Sequence, residues 1–269
     1  MAVLQIGRSN AGVLGYAVEL ARRFDAGVVG IAASELMQLT YGDAYVSGDL
    51  IEANRALIAD QTKAAEAEFR TAFASHAGFL DWRSEMLFTP SVSYLAREAR
   101  VADLVVSSVA SGRLFDGSPR TSTGELLMQL GRPMLVVPTR PHAPRLDRMM
   151  VAWKDTRETR RATLDALPLL RQARSVSIVA VVASGGYAET QIQVADVARW
   201  LGRHGVVARE MALQSDGPDP ARITAVAAEL DTDVVVAGAY GHSRLREWVL
   251  GGVTRELLLR DDRCSLLSH

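Results

Sequence analysis

The chain has 269 residues, 48% hydrophobic and 23% charged, and its 30 Lys+Arg nearly cancel 31 Asp+Glu. That length exceeds one ordinary core and suits two of roughly 100–150 residues each, while the composition excludes disorder and fibrous repeats. A formal charge of -1 leaves no basic stripe to neutralise a phosphate backbone, so nucleic acid is not an expected partner.

Cys264 is the sole cysteine and reads as buried filler in a final strand; a lone thiol makes no internal disulfide. No basic, then apolar, then small-residue leader opens the chain. The longest apolar runs, such as 176–183, fall far short of the ~20 residues that span a bilayer. A soluble, cytoplasmic protein without a membrane partner is expected.

In chain order, the first half predicts a strand over 3–6, a helix over 11–24, a strand over 28–33 and a long helix over 50–75. A strand over 82–88, a helix over 91–101, a strand over 103–106, a helix over 122–130 and a strand over 134–137 follow. The stretch 34–48, with Met37, Leu39, Tyr41 and Tyr45, has no counterpart later and reads as a decorated loop over its own domain or toward a partner.

Pro138, Pro141 and Pro144 then stiffen the chain, and residues 139–147 read as an extended linker between domains 1–138 and 148–269. The second half predicts strands over 149–153, 176–182, 206–213, 233–237 and 264–267. Helices are expected over 157–172, 188–203, 220–230 and 254–260, the first bent or loosened by Pro168.

Strands and helices alternating at these lengths require crossover connections, hence a mainly parallel sheet covered on both faces. The Val-rich strands agree, because such a sheet buries both rows of side chains. Asp103-Leu104-Val105-Val106-Ser107 resembles Asp233-Val234-Val235-Val236-Ala237, and Gly124-Glu125-Leu126-Leu127 falls on Arg255-Glu256-Leu257-Leu258. A repeat offset near 131 residues is a duplicated domain, not a solenoid unit.

The most informative segment runs from Gly238 to Thr254, with glycines at 238, 241, 251 and 252 and Val253 before Thr254. It leaves the carboxyl end of a strand and ends where a helix is expected to start. Residues without a Cβ let a phosphate approach the backbone and let successive N–H groups converge on it. The helix start adds unpaired donors and a positive dipole end, and Thr254 can cap that helix or meet a phosphate oxygen. In an open α/β sheet the crevice beyond the strand ends, at the switch point, is the expected ligand site. Leu245, Trp248 and Val249 are spaced to pin the loop to the body.

The G-x2-G-x9-G spacing, followed by a small residue, Val and Thr, resembles the nucleotide-binding signature of universal stress proteins. The resemblance spans the chain as two consecutive copies, supported by the run 150–156 and the ending 263–269. It implies two flavodoxin-like, Rossmann-like open parallel sheets of five strands in order 3-2-1-4-5. It further implies ATP, with or without Mg2+, bound in the second copy. Carried over by position, Val181, Ala237 and Gly238 would border adenine and ribose, and Gly241, Gly251, Gly252, Val253 and Thr254 would cradle the phosphates. Lys154 takes the place where the family often has Asp, with Asp155 one step on, and at 252, where the family usually has Ser or Gly, Gly252 gives up a hydroxyl. By the same offset the first copy has Ser107, Ala110, Arg120 and Thr121 opposite Gly238, Gly241, Gly251 and Gly252, and only Thr123 matches Thr254. It reads as a degenerate partner in an intramolecular pseudo-dimer, a homodimer being a further possibility.

Catalytic signals are absent from the sequence. Ser107-Ser108 lacks the G-x-S-x-G elbow, the five histidines show no metal-ligand spacing, and no G-x4-G-K-[ST] loop is present. Three functions stay open: a nucleotide-responsive stress or regulatory protein with at most weak ATPase activity, a slow nucleotide hydrolase or transferase, and a dimerisation scaffold that binds no nucleotide. The first is the leading reading.

Overall fold

The computed structural model describes residues 1–35, 48–109, 123–139, 143–182, 185–215, 219–239, 257 and 262–269. Two compact units emerge: Met1–Leu130 with Val137–Pro144, and Gly131–Val136 with Arg145–His269. The expected insertion at 34–48, the glycine loop and the helix over 254–260 fall largely outside the described residues.

The first unit is built from β1 (Ala2–Leu4), α1 (Ala11–Phe24), β2 (Val28–Glu35), α2 (Gly48–Ala72), β3 (Leu80–Leu87), α3 (Ser91–Glu98), β4 (Val105–Ser108) and α4 (Thr123–Leu130). Its strands pair in parallel in the order β3-β2-β1-β4. The 3-10 turn Ala99–Val101 closes α3, so the expected helix over 91–101 ends in a tightened last turn. Phe69 of α2, 1% exposed, anchors this helix to the sheet, its ring tilted against Phe73 at 5.0 Å and Trp82 of β3 at 5.7 Å. Burying a side chain of that size stabilises the fold by about 1.5–3 kcal/mol.

The second unit contains β5 (Met134–Val137), apart from its last residue, β6 (Arg148–Ala152), α5 (Arg157–Asp165), α6 (Leu167–Gln172) and β7 (Ser175–Val182). It continues through α7 (Tyr187–Arg203), β8 (Ala208–Gln214), α8 (Asp219–Glu229), β9 (Val234–Gly238) and β10 (Cys264–Ser268). Strands β8, β7, β6, β9 and β10 pair in parallel in that order, the 3-2-1-4-5 arrangement. Val151, Ile178, Val234, Val236 and Leu266 are fully buried, as a sheet covered on both faces requires. The expected helix over 157–172 breaks at Ala166, and Pro168 lies at the second position of α6, where its missing N–H costs nothing.

β5 pairs antiparallel with β10, Leu135 opposite Leu266, within the otherwise parallel second unit. The sheet is thus mainly parallel, as expected, with one antiparallel strand added at its edge. The physical reason is edge cover: Met134, Leu135, Cys264, Leu266 and Leu267 have no exposed surface, and an open edge of such residues invites aggregation. Among the described residues no helix is long and apolar enough to cross a membrane.

Candidate functional site

The switch point of the second unit lies between the carboxyl ends of β6 and β9, where the strand order reverses. Thr156 caps α5, its Oγ1 accepting the Thr159 N–H at 3.3 Å. Gly238, the last residue of β9, lies against this helix start. A Cβ at 238 would stand 2.4 Å from Thr159 N and 2.9 Å from the Glu158 Cβ. The glycine at 238 is therefore accounted for by close strand–helix packing, with or without a ligand beside it.

Glu158 is 4% exposed in the first turn of α5 and pairs with Arg157. Burial opposes its charge, but the Arg157 guanidinium, the backbone N–H at the helix start and the Thr156 hydroxyl outweigh burial and hold its carboxyl below the usual range. A carboxylate there already occupies the positive end of the α5 dipole. Trp153, just beyond β6, donates its backbone N–H to Val179 O at 2.7 Å, while its buried indole Nε1 has no hydrogen-bond partner.

The other expected site residues are placed as follows. Ala237 is 3% exposed and aligned with Leu267 of β10, and Val181 of β7 is half-buried opposite Leu213 of β8. Lys154 is exposed. Asp155 is exposed too, its Oδ1 accepting from Arg160 Nη2 at 2.6 Å and Nε at 3.1 Å. Gly241, Gly251, Gly252, Val253 and Thr254 lie outside the described residues. Beyond β9, Ala239 donates its N–H to Ser268 O at 2.9 Å, and its carbonyl contacts His269 Nδ1 at 3.2 Å. Among the described residues no side-chain hydrogen bond joins the carboxyl ends of β6 and β9, whereas Asp233 ties their amino ends by accepting the Arg148 N–H at 2.8 Å, and no three His, Cys, Asp or Glu side chains gather to hold a metal.

The first unit differs at the same place. Gln5 Nε2, just beyond β1, donates to Ser108 Oγ at the end of β4 across 3.0 Å. Buried Asn10 locks the loop between, accepting the Gln5 N–H at 2.7 Å and donating to Gln5 O and to Glu68 of α2. The structure also refines the repeat. Val109 follows β4 and donates to Val137 O, as Ala239 follows β9 and donates to Ser268 O. At these strands the offset is 239 − 109 = 130, so the counterpart of Gly238 is Ser108, not Ser107. Thr156, Glu158, Gln5 and Asn10 were not singled out from sequence. Thr156 carried a readable signal, a capping residue directly before an acidic first turn.

An open, mainly parallel α/β sheet with helices between its strands is a doubly wound fold. Comparison with solved structures narrows that class. A universal stress protein from Archaeoglobus fulgidus DSM 4304 superposes with a TM-score of 0.77 at 12% identity, covering 99% of this chain and 96% of its own. A candidate universal stress protein from Pseudomonas aeruginosa UCBPP-PA14 gives 0.65 at 12% identity, covering 99% and 91%. A functionally unknown protein from Pseudomonas aeruginosa PAO1 gives 0.65 at 12% identity, covering 99% and 90%. No family model and no curated protein matches the chain. The chain has the tandem universal stress protein fold.

Proposed function

We propose that this is a stress-response or regulatory protein that binds an adenine nucleotide, ATP in first place, in its second unit. The observation that carries the reading is the contrast between the two switch points. In the first unit Gln5 and Ser108 bridge the carboxyl ends of the strands; in the second no described side chain does so at the carboxyl ends of β6 and β9, and Gly238 lets the α5 start pack against the end of β9.

The electrostatics suggest how a nucleotide divides over this edge. Glu158 fills the positive end of α5, which suits a neutral base and ribose hydroxyls there better than phosphate. The phosphates then belong to the loop after β9, where Gly241, Gly251, Gly252, Val253 and Thr254 supply unhindered backbone N–H groups and a hydroxyl. Val181 and Ala237 border the base in this reading. Asp155, engaged by Arg160, and exposed Lys154 flank the entrance. The proposed activity is binding, with at most slow hydrolysis, and Mg2+ would accompany the phosphates.

The direct test identifies the small molecule released when the purified protein is gently denatured, and measures the melting temperature with added ATP, with and without Mg2+. A ligand bound only to the folded state stabilises it by about 2.7 kcal/mol at a hundredfold excess over Kd. Adenine nucleotide in the supernatant and a raised melting temperature are expected. An empty protein whose melting temperature ignores ATP would overturn the reading.

A further inference from the structure

The two units carry different residues at one matched place beside the switch point. Ala2 of β1 pairs with Val106 of β4, and Val151 of β6 pairs with Val236 of β9. The offset that relates Val109 to Ala239 also relates Val106 to Val236. Ala2 and Val151 are therefore equivalent, and so are Gln5 and Lys154, each three residues further on. Lys154 and Gly238 thus stand where the first unit has Gln5 and Ser108, the pair that bridges its strand ends at 3.0 Å. No such bridge can form in the second unit, because Gly238 has no side chain to accept and a lysine ammonium only donates.

The neighbouring charges are answered within the chain. Asp155 is held by Arg160, and Glu158 by Arg157. Lys154 is exposed, and among the described residues no carboxylate pairs with it. One positive charge is left over at the end of β6, on the edge where the base and ribose of the nucleotide are proposed to lie.

An ammonium at that place discriminates by what the ribose carries. Free ribose hydroxyls are held best by a carboxylate, which accepts from them, whereas a ribose phosphate calls for a cation. Hydroxyls would leave the Lys154 charge unanswered, and a phosphate monoester would answer it. Glu158 remains a carboxylate in the first turn of α5 and repels phosphate from the helix start. The side of β6 is then the place for a ribose phosphate.

Given adenine-nucleotide binding in the second unit, on which this rests, we propose that the site selects nucleotides whose ribose carries a phosphate at its 2′ or 3′ oxygen. Lys154 is the residue that reads it, and the 5′ phosphates keep their place on the loop after β9.

The test measures by calorimetry the affinity of the full-length protein for AMP, adenosine 2′,5′-bisphosphate and adenosine 3′,5′-bisphosphate, which differ only in the ribose phosphate. The parent should bind one bisphosphate about tenfold or more tighter than AMP, the effect of one charge-assisted contact. Which one it prefers separates a 2′ from a 3′ phosphate. Lys154→Met should remove the preference, and Lys154→Asp should reverse it. Lys154 is exposed, so both variants should keep the wild-type circular dichroism. Equal affinity for all three, or binding of ATP and none of the three, would overturn this proposal alone. So would a preference that survives in Lys154→Met, since another cation would then read the ribose. A parent that binds neither these three nor ATP overturns it together with the nucleotide reading.

Discussion

Gln5 donates through Nε2 to Ser108 Oγ at 3.0 Å and ties the end of β1 to the end of β4 over the switch point of the first unit. The crevice that an open α/β sheet offers a ligand is bridged there by the protein's own side chains. Asn10, 3% exposed, fixes the intervening loop, so displacing Gln5 would strand buried polar groups. Calorimetry should therefore give one adenine nucleotide per chain. A stoichiometry of two would show that the first unit also opens to ligand.

Gly238 supports a second prediction, about stability. A Cβ added at 238 meets the backbone N of Thr159 at 2.4 Å, and a helix backbone yields far less readily than a flexible side chain. Gly238→Ala should cost about 1–3 kcal/mol, the usual range for forcing extra volume into a packed contact. Urea unfolding of the unliganded protein measures it. An unchanged midpoint would mean that β9 and α5 are not held together as described.

The alternation of strands and helices was legible in the sequence because each element carries its own period, and the break near Pro168 followed from a missing N–H. The antiparallel direction of the β5–β10 pairing was not, since Met-Leu-Val-Val reads as a buried edge strand in either direction. Nor was the Gln5–Ser108 bond, which joins positions 103 residues apart. Gly238 shows a different limit. A glycine that admits a helix and one that admits a phosphate are the same letter, and only the distance to Thr159 separates them.

Acid sensitivity gives a third prediction. Glu98 of α3 accepts from Arg83 of β3 at 2.7 Å and from Arg97 at 3.4 Å. Burial opposes the Glu98 charge, and these guanidiniums outweigh it, holding its carboxyl below the usual range. A carboxyl depressed by folding contributes stability above its unfolded pKa, about 4.3 for glutamate, and that contribution is lost as pH falls through the folded value. Arg83→Met should therefore destabilise the protein near neutral pH and move acid unfolding to higher pH. Circular dichroism followed from pH 7 downward tests this, and an acid midpoint that stays in place or falls would contradict it.

The last prediction separates the phosphate loop from the packing around Gly238. Replacing Gly251 by Val puts a branched side chain where the backbone is proposed to meet phosphate oxygens, and it disfavours any positive φ used there. Loop substitutions usually leave the core intact, so the unliganded melting temperature should stay within a few degrees, in contrast to Gly238→Ala. Stabilisation by ATP should nevertheless disappear. Thr254→Ala should be milder, weakening binding by about 0.5–1.5 kcal/mol, or up to about 3 if its hydroxyl meets a charged phosphate oxygen. Thermal shift and calorimetry on the two variants read both effects against the same parent. If the parent binds ATP and Gly251→Val binds it equally well, the phosphates lie elsewhere, and the loop from 238 to 254 is a structural connection rather than a cradle.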